Sequence, residues 1–255
     1  MKQLIRFFTP FITLTKGEKS ITVLLVLVVF FGGWSLTGSQ YIPTPVEILG
    51  AIPRLLEKDL IREFLKSLGF CFTSMFYSFV LSLIICYLSI LPIFRSFGEF
   101  LRKFRFLPSV GFSFLFMKMT DGIDQQMSWM MIWGISTWLM YSMIGIALSI
   151  GEDEIMYAKS LRLSKWQMVR ELLIKGKAVE ILQAFIGNFA IAWMMLAYIE
   201  NISKASGGIG VVLAESNKYY YFDEVYAIQI LILFTGIIID FLLRKTLVFL
   251  LPYSK

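Results

Sequence analysis

Glu152–Lys177 reads EDEIMYAKSLRLSKWQMVRELLIKGK, and the arrangement of the whole chain follows from how this stretch is read. It lies between two long apolar segments and is too charged to sit in hydrocarbon, yet it is patterned like structure. Ser164-Lys165-Trp166-Gln167 has the form of a capping box, a Ser N-cap with a Gln three residues on. Trp166, Val169, Leu172 and Leu173 then fall on one face of a helix, with Lys165, Gln167 and Glu171 turned away. Upstream, Ile155, Met156, Ala158 and Leu161 predict a shorter helix. Glu152, Asp153 and Glu154 stand in its first turn, where the helix dipole favours acids. Two short amphipathic helices joined by a polar turn read as a docking surface, because no hydrocarbon and no soluble domain of this chain covers their apolar face. The alternative is an ordinary solvated loop with local helicity.

Composition sets the surroundings of this stretch. Of 255 residues, 57% are hydrophobic, and the mean hydropathy is +0.72. No soluble domain of this size needs so much apolar surface, so the expected class is an all-α integral membrane protein. No small-residue cleavage site follows the first apolar run, so no conventional signal peptide is read. Cys71 and Cys86 share one apolar segment and cannot build a disulfide framework. With no histidine, no metal, haem or iron–sulfur cofactor is expected. The net charge of +6 lies beside apolar segments, which fits a cytoplasmic membrane face rather than nucleic acid.

Outward from the central stretch, the segments fall into about six spans. Residues 1–19 read as a basic, aromatic amphipathic segment along the membrane surface, interrupted by Pro10. The first span runs from about Ser20 to Leu36. Thr44-Pro45 opens a helix with proline at its first position, and Glu47–Lys66 reads as an amphipathic helix outside the bilayer core. The second span, about Leu65 to Ile90, carries a stripe of Ser67, Ser74, Ser78 and Ser82, small residues that let helices approach closely. After Pro92 comes a basic loop with Arg95, Arg102, Lys103 and Arg105. Phe106–Met119, holding Pro108 and Gly111, makes a third span only if it is bent or begins earlier. The fourth span runs from about Met127 to Ile150, the fifth from Val179 to Ile199, and the sixth from Val225 to Leu243. Asp240 and Arg244, four apart near the end of the last span, are spaced to pair.

Six crossings with the N-terminus inside place 17 of the 24 lysines and arginines on inner segments and 7 on outer ones. That bias predicts both termini in the cytoplasm and puts Glu152–Lys177 there, between spans four and five. Tyr219-Tyr220-Tyr221-Phe222 then falls on the outer interface, where aromatic side chains belong. Inside the fifth span, Gln183 and Asn188 are the deep polar residues and serve either as helix-packing amides or as pathway lining. Glu200, at the outer end of that span, reads as a solvated helix-end acid.

Four pieces of the chain resemble the membrane-spanning permease subunits of ABC importers of the nitrate, sulfonate and taurine type. Ile42-Pro-Thr-Pro-Val-Glu-Ile-Leu49 is similar to that family's L-P-S-P-x-E-V-L before the second span. Ala158-Lys-Ser-Leu-Arg-Leu-Ser-Lys-Trp-Gln167 resembles its cytoplasmic EAA loop, commonly E-A-A-R-T-L-G-A-S-R-W-Q. Ala192-Trp193 through Glu200, followed by Gly207-Gly-Ile-Gly210, resembles its L-A-W…A-E and S-G-L-G. Ile239-Asp240-Phe-Leu-Leu-Arg244 and Leu250-Leu-Pro252 resemble its C-terminal end. The match covers Tyr41 to Pro252 in order.

The resemblance implies a single permease domain over residues 20–250, in the cell's inner membrane. Its coupling loop, 152–177, would present Ala158, Ser160, Leu161, Arg162, Ser164, Trp166, Val169 and Leu172 to a separate ABC ATPase subunit. The implied partners are ATPase subunits, a second permease subunit in a homo- or heterodimer, and an extracytoplasmic substrate-binding protein. ATP hydrolysis belongs to the ATPase, because this chain has no G-x-x-x-x-G-K-[ST] phosphate loop and no cluster of acid, base and nucleophile. The implied cargo is a small oxyanion or sulfonate-like nutrient. Three departures stand out. Met156 occupies the family's glutamate position, and Arg162 occupies its loop glycine, so Arg162 is expected to take another turn or to pass that role to Leu163-Ser164. Where the family has a proline-rich R-P-I-P-P segment, this chain has Arg102-Lys-Phe-Arg-Phe106. Two rival readings are a passive or ion-coupled transporter, weakened by the lack of ionisable residues deep in the spans, and a membrane scaffold subunit of a transport complex.

Overall fold

The computed structural model describes residues 15–36, 41–203 and 206–251. Residues 1–14, most of the predicted amphipathic N-terminal segment, and residues 252–255 lie outside the described part. Every regular element among the described residues is helical, and five helices are long and apolar enough to cross a membrane.

The first helix, α1 (Lys16–Leu36), buries none of its apolar window and is tied to the rest where Trp34 Nε1 donates to the Pro43 carbonyl at 3.0 Å. The next, α2 (Pro45–Glu57), begins as the sequence predicts. Pro45 fills the first position, and Thr44 and Glu47 add a capping box that the sequence reading did not name. Its extent does not follow the prediction. The amphipathic helix ends at Glu57, Asp59 takes a left-handed backbone with φ 55°, and Leu60 already begins the long helix α3 (Leu60–Leu88). Burial explains the break. Ile48, Ala51 and Leu55 face inward on α2, and Leu60 joins the same small core with Ile209, Val212 and Ile228. No single straight helix buries both sets.

The core is built on α6 (Ile123–Leu148), more than half of whose apolar window is buried. Met130, Met131, Ile135, Leu139, Met143 and Ile144 are fully enclosed there, flexible thioethers and branched chains filling an irregular interior. Ser78 and Ser82, the later members of the serine stripe of α3, lie against α6. Ser78 donates to the Ile132 carbonyl, Ser82 to that of Ser136 and Cys86 to that of Met143, at 3.2–3.3 Å. Partner numbers rise together along both helices, so α3 and α6 run parallel. The chain between them must therefore travel back along α6.

That return is made in pieces: α4 (Pro92–Leu101), 3-10 turns at Arg102–Phe106 and Ser109–Phe112, and α5 (Ser113–Met119). Gly98 packs on Ser89 and Ile144, Phe104 and Phe112 each set a ring 5.8 Å from Trp133, and Gln126 donates to the Ser113 carbonyl at 3.0 Å. The segment thus descends α6 from its Ile144 end to its Gln126 end. It is bent because Pro108 has no amide hydrogen to donate and disfavours helix in the residue before it.

Two short helices follow, α7 (Glu152–Ser160) and α8 (Lys165–Met168), before α9 (Ala178–Ile202) runs antiparallel to α6. Asn188 meets Ser142 at one level and Met195 meets Gly134 at another. The chain closes with α10 (Ile209–Lys218) and α11 (Phe222–Leu250), the latter held to α9 where Trp193 Nε1 donates to the Ile232 carbonyl at 2.9 Å. Asp240 and Arg244 pair at 2.8 Å as their spacing predicts.

Candidate coupling surface

Residues 152–177 sit at one end of the bundle, between the end of α6 and the start of α9. The three acids of α7 occupy its first turn, and Ala158 is its buried residue. The helix then ends in a Schellman motif. The Leu163 amide donates to the Ala158 carbonyl at 3.2 Å and the Arg162 amide to that of Lys159 at 2.9 Å. The left-handed position between them is Arg162, with φ 54°. The expectation that Arg162 takes another turn is therefore corrected. It keeps the backbone a glycine favours there, at the steric cost a side chain carries in that region, and the two hydrogen bonds hold it.

The predicted capping box opens α8: the Gln167 amide donates to Ser164 Oγ at 3.4 Å, and the Ser164 amide to Gln167 Oε1 at 2.8 Å. After one turn the helix widens into a π-helical stretch, Val169–Lys175, in which the Gly176 amide reaches the Glu171 carbonyl. Widened turns of this kind are frequent at functional sites. Glu171 receives Lys175 and Arg170, both at 2.9 Å, and these cations, Lys175 foremost, hold its carboxyl below the usual carboxylate range. Lys177 bonds Glu180 at 3.0 Å and stands 3.9 Å from Glu154, which ties α7 to the root of α9 and raises the Lys177 ammonium above its ordinary value.

The structure brings Trp166, Val169, Leu172 and Leu173 together on one groove, as their helical spacing predicts. The groove has a volume of about 530 Å³, and its far wall is Ser89–Pro92 together with Ala147, Leu148 and Ile150 from the end of α6. The expectation that this face has nothing of its own chain to cover it is corrected. Leu173 is fully buried in the main core, and Val169 and Leu172 are half-buried against the α3–α4 junction. Trp166 is the member left out, 72% exposed at the groove's rim. Leu161, Arg162, Ser160 and Ser164 are also exposed, as are Met156 and Tyr157 on the neighbouring turn.

Gln183 and Asn188 are not brought together. Gln183 is exposed on the outside of α9, whereas Asn188 is buried and its amide donates to the Ala184 carbonyl at 2.7 Å and to Ser142 Oγ at 3.3 Å. Asn188 therefore acts in packing α9 on α6.

At the opposite end of the bundle a polar clamp escaped the sequence reading. Glu200 is buried rather than solvated. It accepts from Ser67 Oγ at 2.6 Å and from the Gly210 amide at 2.7 Å, while the Ile209 amide donates to Ser67 Oγ at 2.8 Å and the Gly208 amide donates to Glu63. Side chains of α3 and α9 thus satisfy the first free amides of α10. Gly208, at φ 111°, passes directly over the Glu200 carboxylate, and a side chain on Gly210 would meet the Ala197 backbone. The visible signal was the run Gly207-Gly208-Ile209-Gly210. Beside it, Glu224 is buried between Lys58 and Ser216, at 2.6 and 2.7 Å, and Arg54 pairs with Asp223.

Among the described residues no group of three or more His, Cys, Asp or Glu side chains is placed to hold a metal ion, and Cys71 and Cys86 are free thiols. No protein-family model matches the chain, and no curated protein matches it.

Proposed function

We propose that the chain is the transmembrane permease subunit of an ATP-binding-cassette importer, with Glu152–Lys177 as the loop that couples it to a separate ATPase subunit. The observation that carries this reading is the form of that loop: a Schellman turn with a left-handed Arg162, then a capped helix that leaves Trp166 exposed at the rim of an apolar groove. An exposed tryptophan beside a groove is the kind of anchor that carries binding energy at protein interfaces. The parallel register of α3 and α6 adds support. It requires a return between them, and the bent Pro92–Met119 segment supplies the third of six crossings. Both termini and the coupling loop are then cytoplasmic; with Arg95, Arg102, Lys103, Arg105 and Lys118 placed in the crossing itself, 13 basic residues remain on inner segments against 6 on outer ones, and the bias keeps its direction. A second permease subunit, homologous or identical, covers the exposed membrane face, and an extracytoplasmic protein delivers a small oxyanion or sulfonate-like nutrient. ATP hydrolysis lies with the partner.

The test is reconstitution with the cognate ATPase and uptake of labelled nitrate, taurine and alkanesulfonates, together with sided labelling of single cysteines at Lys165 and Asn217. ATP-dependent uptake, with the two positions labelling from opposite faces, is expected. ATP-independent flux, or labelling of both from the same face, overturns the reading.

A further inference from the structure

The Arg102–Phe106 turn carries two arginines that coupling does not use. The Arg102 guanidinium lies 5.0 Å from the centre of the Tyr141 ring, and the Arg105 guanidinium lies over the same ring at 3.4 Å. Among the described residues neither is in an ion pair. Glu99, the nearest acid in sequence, stands 3.6 Å from Arg95 instead. Arg102 and Arg105 are both half-buried, and Arg102 Nε is enclosed without a hydrogen-bond partner. Gly145 leaves the room for this: a Cβ there would lie 3.3 Å from Arg102 Nη2.

Two guanidinium groups beside one aromatic ring repel each other, and the Tyr141 ring, with the Phe106 ring 4.7 Å from Arg105, offsets that only in part. An enclosed N–H with no acceptor adds a desolvation cost. An oxyanion set against the two planar donor forks offsets the repulsion and gives the guanidinium N–H groups a charged acceptor, since guanidinium groups bind such oxygens in pairs. We propose that Arg102 and Arg105, stacked on Tyr141, bind one oxyanion group of sulfate, sulfonate or phosphate chemistry. The group belongs either to a soluble anion or to the headgroup of an anionic phospholipid. The proposal rests on this geometry alone and stands whether or not the importer reading does.

The experiment uses the full chain in nanodiscs. In phosphatidylcholine discs, binding of radiolabelled inorganic sulfate and of methanesulfonate is measured by equilibrium dialysis. In discs of mixed phosphatidylcholine and phosphatidylglycerol, lipid retained by the protein is quantified by mass spectrometry. Saturable binding in the first arm assigns a soluble anion, and enrichment of phosphatidylglycerol in the second assigns a headgroup. In whichever arm responds, the Arg102→Gln/Arg105→Gln pair should lose tenfold or more, as expected for two charge-assisted contacts. Lys103→Gln, exposed and outside the stack, should change binding less than twofold. Gly145→Ala keeps both charges but crowds Arg102, and it should weaken binding several-fold. If the double variant does not fold, Gly145→Ala and Arg105→Gln alone decide the matter. Absence of binding in both arms, or binding unchanged in folded variants, overturns the proposal.

Discussion

The two ends of the bundle treat their polar groups in opposite ways. At the α10 end, Glu63, Ser67, Glu200, Ser216 and Glu224 are each matched to a donor or acceptor, and Gly208 and Gly210 let the backbone close over them. At the α7–α8 end the helix termini are capped, but large apolar side chains are left out: Met156, Tyr157, Leu161 and Trp166 are 56–72% exposed. At one end the buried polar groups are satisfied by the chain itself; at the other the capped helix ends stand beside an exposed Trp166 and an apolar groove.

Breaking the clamp should have the largest effect. Glu200→Ala leaves the Ser67 hydroxyl and the Gly210 amide without their acceptor in a buried place, for a loss of about 2–4 kcal/mol. Thermal unfolding in detergent should show a drop of several degrees, smaller for Glu200→Gln, which keeps an acceptor. An unchanged melting temperature for Glu200→Ala would mean that the clamp does not hold this end.

A smaller change sharpens the contrast from the other side. Arg162 sits at φ 54°, where a side chain is strained and glycine is not. Arg162→Gly should stabilise the turn by up to about 1 kcal/mol, offset in part by the greater freedom glycine gives the unfolded chain. Slower hydrogen exchange at the Leu163 amide would report it. Faster exchange would show that the Arg162 side chain itself supports the turn.

The smallest effect concerns Glu171. Its carboxyl is held below the ordinary value of 4.5 by Lys175 and Arg170. A lowered carboxyl contributes in full above the unfolded value and loses that contribution as pH falls through the folded one. Acidification from pH 6 to pH 3 should therefore loosen the π-helical stretch, while Glu171→Gln should remove that pH dependence. Because the group is exposed, high salt should blunt the effect.

What the sequence revealed follows from how local each signal is. The capping box at Ser164, the helix start at Thr44-Pro45, the serine stripe of α3 and the shared face of Trp166, Val169 and Leu172 depend on residues within one or two helical turns of each other, and all were legible. The bent return along α6 was only half legible. Pro108 and Gly111 announced the bend, but the parallel register that makes a return necessary rests on contacts 54 or more residues apart. The burial of Glu200 was hidden for the same reason, since its partner Ser67 lies 133 residues away. Arg162 was misread because an arginine at a glycine position argues for a different backbone, whereas two hydrogen bonds hold the original one.

The central claim is the proposal that Trp166 anchors a partner ATPase, and the most direct measurement is the amount of ATPase that co-purifies with this chain in mild detergent. Trp166 is exposed and makes little contribution to the fold, so Trp166→Ala should leave melting and membrane insertion unchanged. A docked tryptophan contributes about 2 kcal/mol, so association should fall more than tenfold, with ATP-driven uptake falling alongside. Lys165→Ala, one residue away, should change association less than threefold. Full ATPase recovery and full uptake with Trp166→Ala would contradict the account and return Glu152–Lys177 to an ordinary solvated loop.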